Sequence, residues 1–531
     1  MVFSELESRR NKMTKQKIGT ILFLTLFTVT FSLAQQDEKT LSLSLEDCIL
    51  KAMKNNIGVA IEILNPELSD IGISIAQEKF LPSLNLSYNK RDTTNASFSF
   101  LESTDVVSTV RGTYAAEISQ LIPTGGTFSI TLDGYRTDTT QRLQTINPRY
   151  GTTLTFAFNQ PLLRNFGPKI TRREIIIARN NLDISESQLK RVLQQTTYDV
   201  EEAYWNLVSS IESLKVRQQS LRLAQELLEK NKRAVEVGTL AQIEILSAES
   251  AVASRQADIL QAQATVKDNE DRLKILLNIT AEGIPEDINI VPADKPALEE
   301  KKITLDEALR TALANRPDLQ GTRLGIKNQE MNVSFAKNQL LPNLSLSASY
   351  WSPGLSGTQF IYDQDRPFDP PTGSVEYGAS DAWKDTFGFA YQNWSAGITL
   401  NIPLNSIFSR ANYAQAKVNL ERSMLQLKDT EQQIFLEVKS AVRAVQTNYE
   451  RVQAYMAARE LAERTLEAEE EKFKVGISTP YFVLQYQTEL TTAQTNELAA
   501  IIDYNLSLAR LQRAMGVNLT EKDIKFTDFR D

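Results

Sequence analysis

The chain has 531 residues, with 58 Lys and Arg against 66 Asp and Glu, no histidine and a single cysteine. Without imidazole there is no histidine base, no Ser-His-Asp or Cys-His arrangement and no histidine metal ligand, and one thiol excludes an internal disulfide framework or a thiolate cluster. The composition therefore argues against an enzyme and offers neither a cofactor nor a metal site, and a net charge of −8 argues against nucleic acid as a partner.

At the N-terminus Arg9, Arg10, Lys12, Lys15 and Lys17 precede the uncharged stretch IGTILFLTLFTVTFSLA, which ends at Ala34 before polar QQDEKT. This pattern reads as a secretory signal peptide over residues 1–34, because the apolar run is short for a membrane span and its end is small. Five basic and two acidic residues leave with it, so 53 basic face 64 acidic residues and the net charge becomes −11. No later segment is apolar over a membrane-spanning length, which leaves open both a soluble periplasmic protein and a transmembrane β-barrel.

The rest of the chain is written twice. LEDCILKAMKNN (45–56) followed by KFLPSLNLSY (79–88) matches LDEALRTALANR (305–316) followed by QLLPNLSLSA (339–348), at an offset of 260. Farther on, Gly238 matches Gly476 and DRLKILLN matches ARLQRAMG, at an offset of 238. The first repeat is 35–278, with strands in 83–161 and a helical hairpin in 171–278 that turns at Gly238. A linker follows at 279–302. The second repeat is 303–516, with strands in 343–404 and a hairpin in 410–516 that turns at Gly476, and a tail closes the chain at 517–531. Cys48 falls where the second copy has Ala308 and reads as a small buried residue, not a reactive thiol.

Strand-like alternation is clear in SLNLSY, TFSITLDGY, TLTFAFNQP and SAGITLNIP. These regions hold 20 of the 42 aromatic residues and three of the four tryptophans, which suits a membrane barrel with interfacial girdles better than a soluble cap. One chain has too few strands to close such a barrel, so several chains would have to build it. The first copy carries two additional strand-like segments within 113–137, joined by TGG, which suit an extra barrel hairpin. Pro82 and Pro342, and likewise Pro161 and Pro403, stand where helix passes to strand or strand to helix and read as structural stops.

Leu193, Val200, Leu207, Leu214, Leu221, Leu228 and Val235 recur every seventh residue, as do Val438, Val445 and Val452 in the second copy. That is a coiled-coil seam, and from Thr171 to Val237 no proline or glycine interrupts roughly 100 Å of helix. Thr197, Gln218, Gln225 and Lys232 would form a polar stripe beside the seam. On these features alone an export duct and a periplasmic coiled-coil scaffold with a β cap both stand.

Taken together, the signal peptide, the repeat, LDEALRTALANRPDL before LLPNLSLSASY, strands ending in NQPLL and NIPL, and the corners VGTLAQIEILSAES and VGISTPYFVLQYQT resemble the TolC-like outer membrane efflux proteins over residues 41–516. The resemblance implies a mixed α+β membrane protein: a trimeric transmembrane β-barrel continued by a long periplasmic α-helical coiled-coil barrel, with two tandem repeats per chain. It also implies a passive exit duct, in the outer membrane of a Gram-negative-type bacterium, for a tripartite efflux or type I secretion system. The implied partners are two further copies in a homotrimer, outer membrane lipid, a periplasmic adaptor protein and an inner-membrane pump of RND, ABC or MFS type.

The corners Val237, Gly238, Thr239 and Val475, Gly476, Ile477 would then be tips that dock the adaptor. Some members place acidic residues six and nine positions after the second glycine. Here Phe482 and Gln485 stand there, and Glu244 holds the sixth position of the first copy. With Phe473 these residues are the candidates for a periplasmic gate. Ser478 stands where an arginine tie would be, so an apolar Phe482 constriction is expected in place of ionic ties.

Overall fold

The computed structural model describes residues 40–97, 105–283, 285, 288–364 and 369–524. The expected signal peptide lies outside the described residues. Strand β1 (Thr40–Leu43) leads to helix α1 (Leu45–Asn55), which Ser44 starts with a capping box: the Asp47 N–H donates to Ser44 Oγ at 3.1 Å, and the Ser44 N–H donates to Asp47 Oδ2 at 3.2 Å. Asn56 ends that helix and caps the next, α2 (Ile57–Glu78), and Pro82 separates α2 from the first long strand.

Four long strands follow in the first copy, β2 (Ser83–Ala96), β3 (Val106–Leu121), β4 (Thr127–Thr139) and β5 (Ile146–Pro161). The chain then enters α3 (Arg173–Glu236), turns, and returns as α4 (Ile243–Leu277). In the linker β6 (Asn289–Pro292) pairs in parallel with β1. The second copy repeats the plan with α5 (Leu305–Asn315), α6 (Pro317–Asn338), β7 (Asn343–Ile361), β8 (Gly373–Glu376), α7 (Ala379–Phe387), β9 (Asn393–Asn401), α8 (Ile407–Lys474) and α9 (Pro480–Met515).

The long strands form one antiparallel sheet in the order β2-β3-β4-β5-β7, with β9 and β8 both on the far side of β7. The extra hairpin β3–β4 therefore lies inside the sheet, between β2 and β5. Strand β7 runs on to Ile361. Pro353 is tolerated because β9 stops at the Trp351–Asn393 pair, so no ladder exists on that side to need its N–H.

Pairing across the sheet sorts the two faces. One row runs Leu84, Ile118, Ile130, Phe156, Tyr350, Trp394 across six strands. The adjacent row, pointing to the other face, runs Ser83, Ser119, Ser129, Ala157, Ser349, Ser395. One face is apolar and the other small and polar, and the outer edges of β2 and β9 remain unpaired among the described residues.

Helix α7 lies on the apolar face at the end of the sheet away from the long helices. Gly354 makes room for it: a Cβ there would stand 2.0 Å from the Ala382 carbonyl oxygen. The Thr152 hydroxyl donates to that oxygen at 3.0 Å, and Trp383 stacks on Tyr114 and Phe387 with ring centroids 6.0 and 5.7 Å apart.

The helices bury two equivalent cores, one per copy. Cys48, Val59, Val200, Ala203, Leu207, Leu273 and Leu277 occupy the first; Ala308, Leu319, Val438, Ala441, Val445, Leu511 and Met515 take the same places in the second. The seam follows the heptads only as far as Leu207. Beyond it Ser220, Ala224, Leu227 and Asn231 are buried, while Leu214, Leu221, Leu228 and Val235 are half-exposed. A helix with 3.6 residues per turn drifts about 20° per heptad, so over several heptads the buried face passes to neighbouring positions. For the same reason the expected polar stripe divides: Thr197 is fully buried, its hydroxyl donating to the Leu193 carbonyl at 2.8 Å, while Gln218 and Gln225 face water.

Candidate functional site

The end of the chain farthest from the sheet carries the two hairpin tips. Gly238 and Gly476 have φ of 76° and 81°, and each is the left-handed residue that ends a long helix. The N–H of Gly238 donates to the Val235 carbonyl at 2.9 Å, and that of Thr239 to Ala234 at 2.9 Å. In the second copy Gly476 donates to Phe473 at 3.1 Å and Ile477 to Lys472 at 3.0 Å. Both are the paired bonds that close a helix with a glycine, which explains the repeated Val-Gly. Nothing lies within 4 Å of a Cβ at either position. Val237, Val475 and Ile477 are 75%, 70% and 75% exposed, so each tip presents apolar side chains to its surroundings.

Among the gate candidates, Phe473 packs against the small cluster of Leu227, Leu466 and Val483 that closes the tip from inside. Phe482 points away from that cluster, exposed and edge-on to Tyr481 at 5.5 Å. Gln485 is exposed and donates to Glu489 at 2.9 Å, and Glu244 is half-buried, its carbonyl accepting from Asn231. Ser478 hydrogen-bonds the Glu469 carboxylate, which also holds Lys472 at 3.0 Å. These two contacts, the serine's first, lower the Glu469 carboxyl below its usual range.

At the other end, Pro82 and Pro342 immediately precede β2 and β7, Pro161 is the last residue of β5, and Pro403 follows β9. The Leu162 N–H donates to Leu344 at 2.7 Å and Arg164 Nε to Gln339 Oε1 at 2.6 Å, tying the sheet to the helix ends beneath it.

Sequence reasoning missed the groups that join the two hairpins. Arg255 of α4 is 9% exposed and donates to the Ser220 carbonyl at 3.1 Å and, across to α9, to Gln487 Oε1 at 3.2 Å and Thr488 Oγ1 at 3.3 Å. Burial pushes its pKa down, with Asp258 opposing. Nearer the sheet Arg316 pairs with Asp318 at 2.6 Å and Glu437 at 2.7 Å, and Glu437 also holds Arg513 at 3.1 Å, which binds α5, α6, α8 and α9 into one belt. An arginine at a helical position predicts a solvated face, and only the fold reveals what it reaches. No group of His, Cys, Asp and Glu among the described residues could hold a metal ion, and no described helix is long and apolar enough to cross a membrane.

The chain matches the family model described as outer membrane efflux protein over residues 51–278 and 308–517. It is 23% identical over 336 residues to the probable efflux pump outer membrane protein TtgC of Pseudomonas putida, covering 63% of either chain. It is 23% identical over 347 residues to the outer membrane protein TolC of Escherichia coli, covering 62% of this chain and 65% of that one. The chain thus spans a little under two thirds of the length of these relatives. The fold superposes on the Campylobacter jejuni CmeC outer membrane channel with a TM-score of 0.62 at 16% identity, over 96% of this chain and 98% of the other.

Proposed function

Because this chain belongs to the outer membrane efflux protein family, and so to the outer membrane with its helical part in the periplasm, we propose that it is the exit duct of a tripartite efflux or type I secretion assembly. It works as a passive conduit: its hairpin tips receive a periplasmic adaptor, and an inner-membrane pump of RND, ABC or MFS type supplies the energy.

The observation that carries this reading is the two-faced open sheet. Lipid cannot satisfy a backbone N–H or C=O, so a sheet with an apolar face and two bare edges must be closed by other copies of itself. The apolar row then meets lipid and the serine row lines the lumen. The helical part supports the same assembly. Ile57, Ile61, Leu64, Leu68, Ile71 and Ile75 of α2 make an exposed stripe at coiled-coil spacing, unpaired in its own chain and suited to a neighbouring subunit. A homotrimer with two similar hairpins per chain gives a tube of near-sixfold symmetry.

The test is the mass and conductance of the protein extracted from outer membranes in mild detergent. A trimer that forms channels in planar bilayers is expected, and a folded monomer without conductance would overturn the reading.

A further inference from the structure

We propose that the lumen carries a binding girdle for multivalent oxyanions, bearing phosphate or carboxylate groups, in its outer half; this rests on the duct reading above, which makes the polar sheet face the lumen. The girdle is one row across the sheet: Arg91 stands directly opposite Arg111, Arg111 opposite Thr137, and Thr137 opposite Arg149. By strand alternation all four share the face of Ser83, Ser119 and Ser129. The row lies eight residues up β2 from Ser83, toward the sheet end away from the helices.

Directly opposed like charges destabilise a strand pair, and here two arginines face each other with a third two strands away. Among the described residues none of the three is paired with a carboxylate; the nearby Arg136–Asp138 pair, at 3.5 Å, belongs to the opposite face. Instead the arginines are organised around a ring. The guanidiniums of Arg111 and Arg149 lie 4.8 and 5.5 Å from the centroid of Tyr135, which sits one row below. Gly151 admits that ring, since a Cβ there would be 2.4 Å from its nearest carbon. Held on an aromatic face, a guanidinium keeps its edge N–H groups directed outward.

Two further atoms point to a ligand. Arg149 Nε and Thr137 Oγ1, on adjacent strands of the same row, are buried and have no hydrogen-bond partner. A buried polar atom left without a partner costs stability, and two side by side with three unpaired cations are what an oxyanion would satisfy. The carboxylates of that face, Asp133 and Glu117, lie farther toward the helices, where they keep an anion from sinking deeper. With neighbouring strands about 4.8 Å apart, the three arginines span roughly three strand spacings, a reach that suits a chain of phosphates better than a single one. Repeated in each subunit, the row would ring the lumen.

The probe is tripolyphosphate, added to the extracellular side of trimers in planar bilayers. Block of the wild-type channel is expected. Arg111→Gln and Arg149→Gln should each weaken it about tenfold or more, the loss of one charge-assisted hydrogen bond, while Arg111→Lys keeps most of it. The unitary conductance of each variant confirms that the duct itself is intact. Channels blocked equally in wild type and both glutamine variants, or not blocked at all, would overturn the girdle and leave the duct reading standing. Absence of any channel from wild-type protein would instead overturn the duct. Block by a trivalent cation in place of the anion would assign control of the lumen to Asp133 and Glu117 and likewise reject the proposal.

Discussion

Arg255 and Gln487 meet side chain to side chain, 3.2 Å apart, although they belong to different copies of the repeat and stand 232 residues apart in sequence. The contact bridges α4 and α9 directly, and it is made by a charge whose hydrogen-bond partners are all neutral. Replacing Arg255 by Met leaves Gln487 Oε1 buried without a donor, while the Ser220 carbonyl keeps only its intrahelical bond, at a cost of about 1–3 kcal/mol. The expected result is a lower melting midpoint in detergent. Adding Gln487→Leu should return part of the loss, because the orphaned acceptor is then gone; additive losses in the double variant would show that the two residues are not coupled.

The belt gives a dependence on pH. Burial opposes the charge of Asp318, but the hydrogen-bonded Arg316 guanidinium and the Leu319 N–H outweigh it and hold the carboxyl below its ordinary 3.8. A depressed carboxyl contributes stability that is complete above its unfolded pKa and lost as pH falls through the lower folded one. The belt should therefore weaken only below about pH 4, and should be flat from there to neutrality. Arg316→Ala should cost about 1–3 kcal/mol, between the values for exposed and fully buried pairs, and should flatten the acid limb of a melting-point titration. An unchanged acid limb in the variant would remove Arg316 and Asp318 as its source.

The tips offer a separation of assembly from docking. At φ of 76° and 81° a β-branched side chain is strained by about 1–3 kcal/mol, yet nothing near Gly238 or Gly476 would clash with it. Gly238→Val and Gly476→Val should leave trimers in the outer membrane and abolish export, with adaptor crosslinking lost at the same time. Normal export with normal crosslinking would remove these tips as the docking site.

How much of this was legible in the sequence depends on how local the signal was. The repeat placed α1 and α5 and the two glycine corners, because caps and positive-φ turns are written in neighbouring residues, as Ser44–Asp47 and Gly238–Thr239 show. The packing phase beyond Leu207 was not legible, since heptad counting assumes a supercoil tight enough to cancel the drift of a straight helix. Helix α7 was hidden for another reason. Its nine residues interrupt a strand pattern, and its place depends on Gly354 and Thr152, which are far away in sequence and hold it by a cavity and two hydroxyl contacts. The arginine row was invisible until register was known, because Arg91, Arg111 and Arg149 come together only through the pairing of β2, β3, β4 and β5.

We propose that Phe482 narrows the periplasmic mouth. In the tip of α9 the inward position belongs to Val483, which is 2% exposed, while Phe482 is 45% exposed and touches Tyr481 edge-on. A large aromatic left outside its own core faces either the axis of the assembly or a neighbouring hairpin. Ser478 and Gln485 carry no charge with which to tie neighbouring tips, and both are engaged within the hairpin, Ser478 with Glu469 and Gln485 with Glu489. If three copies of Phe482 surround the axis, they obstruct it by bulk and poor hydration, and Glu244 at the equivalent place of the first hairpin adds a mild preference for cations. Phe482→Ala should then raise single-channel conductance without changing the trimer. Phe482→Asp should introduce block by multivalent cations from the periplasmic side, since three carboxylates would face one axis. The two variants answer different alternatives. A phenylalanine packed against a neighbouring helix would lower trimer stability on truncation and leave conductance and block as they were, and that combination would reject the apolar gate.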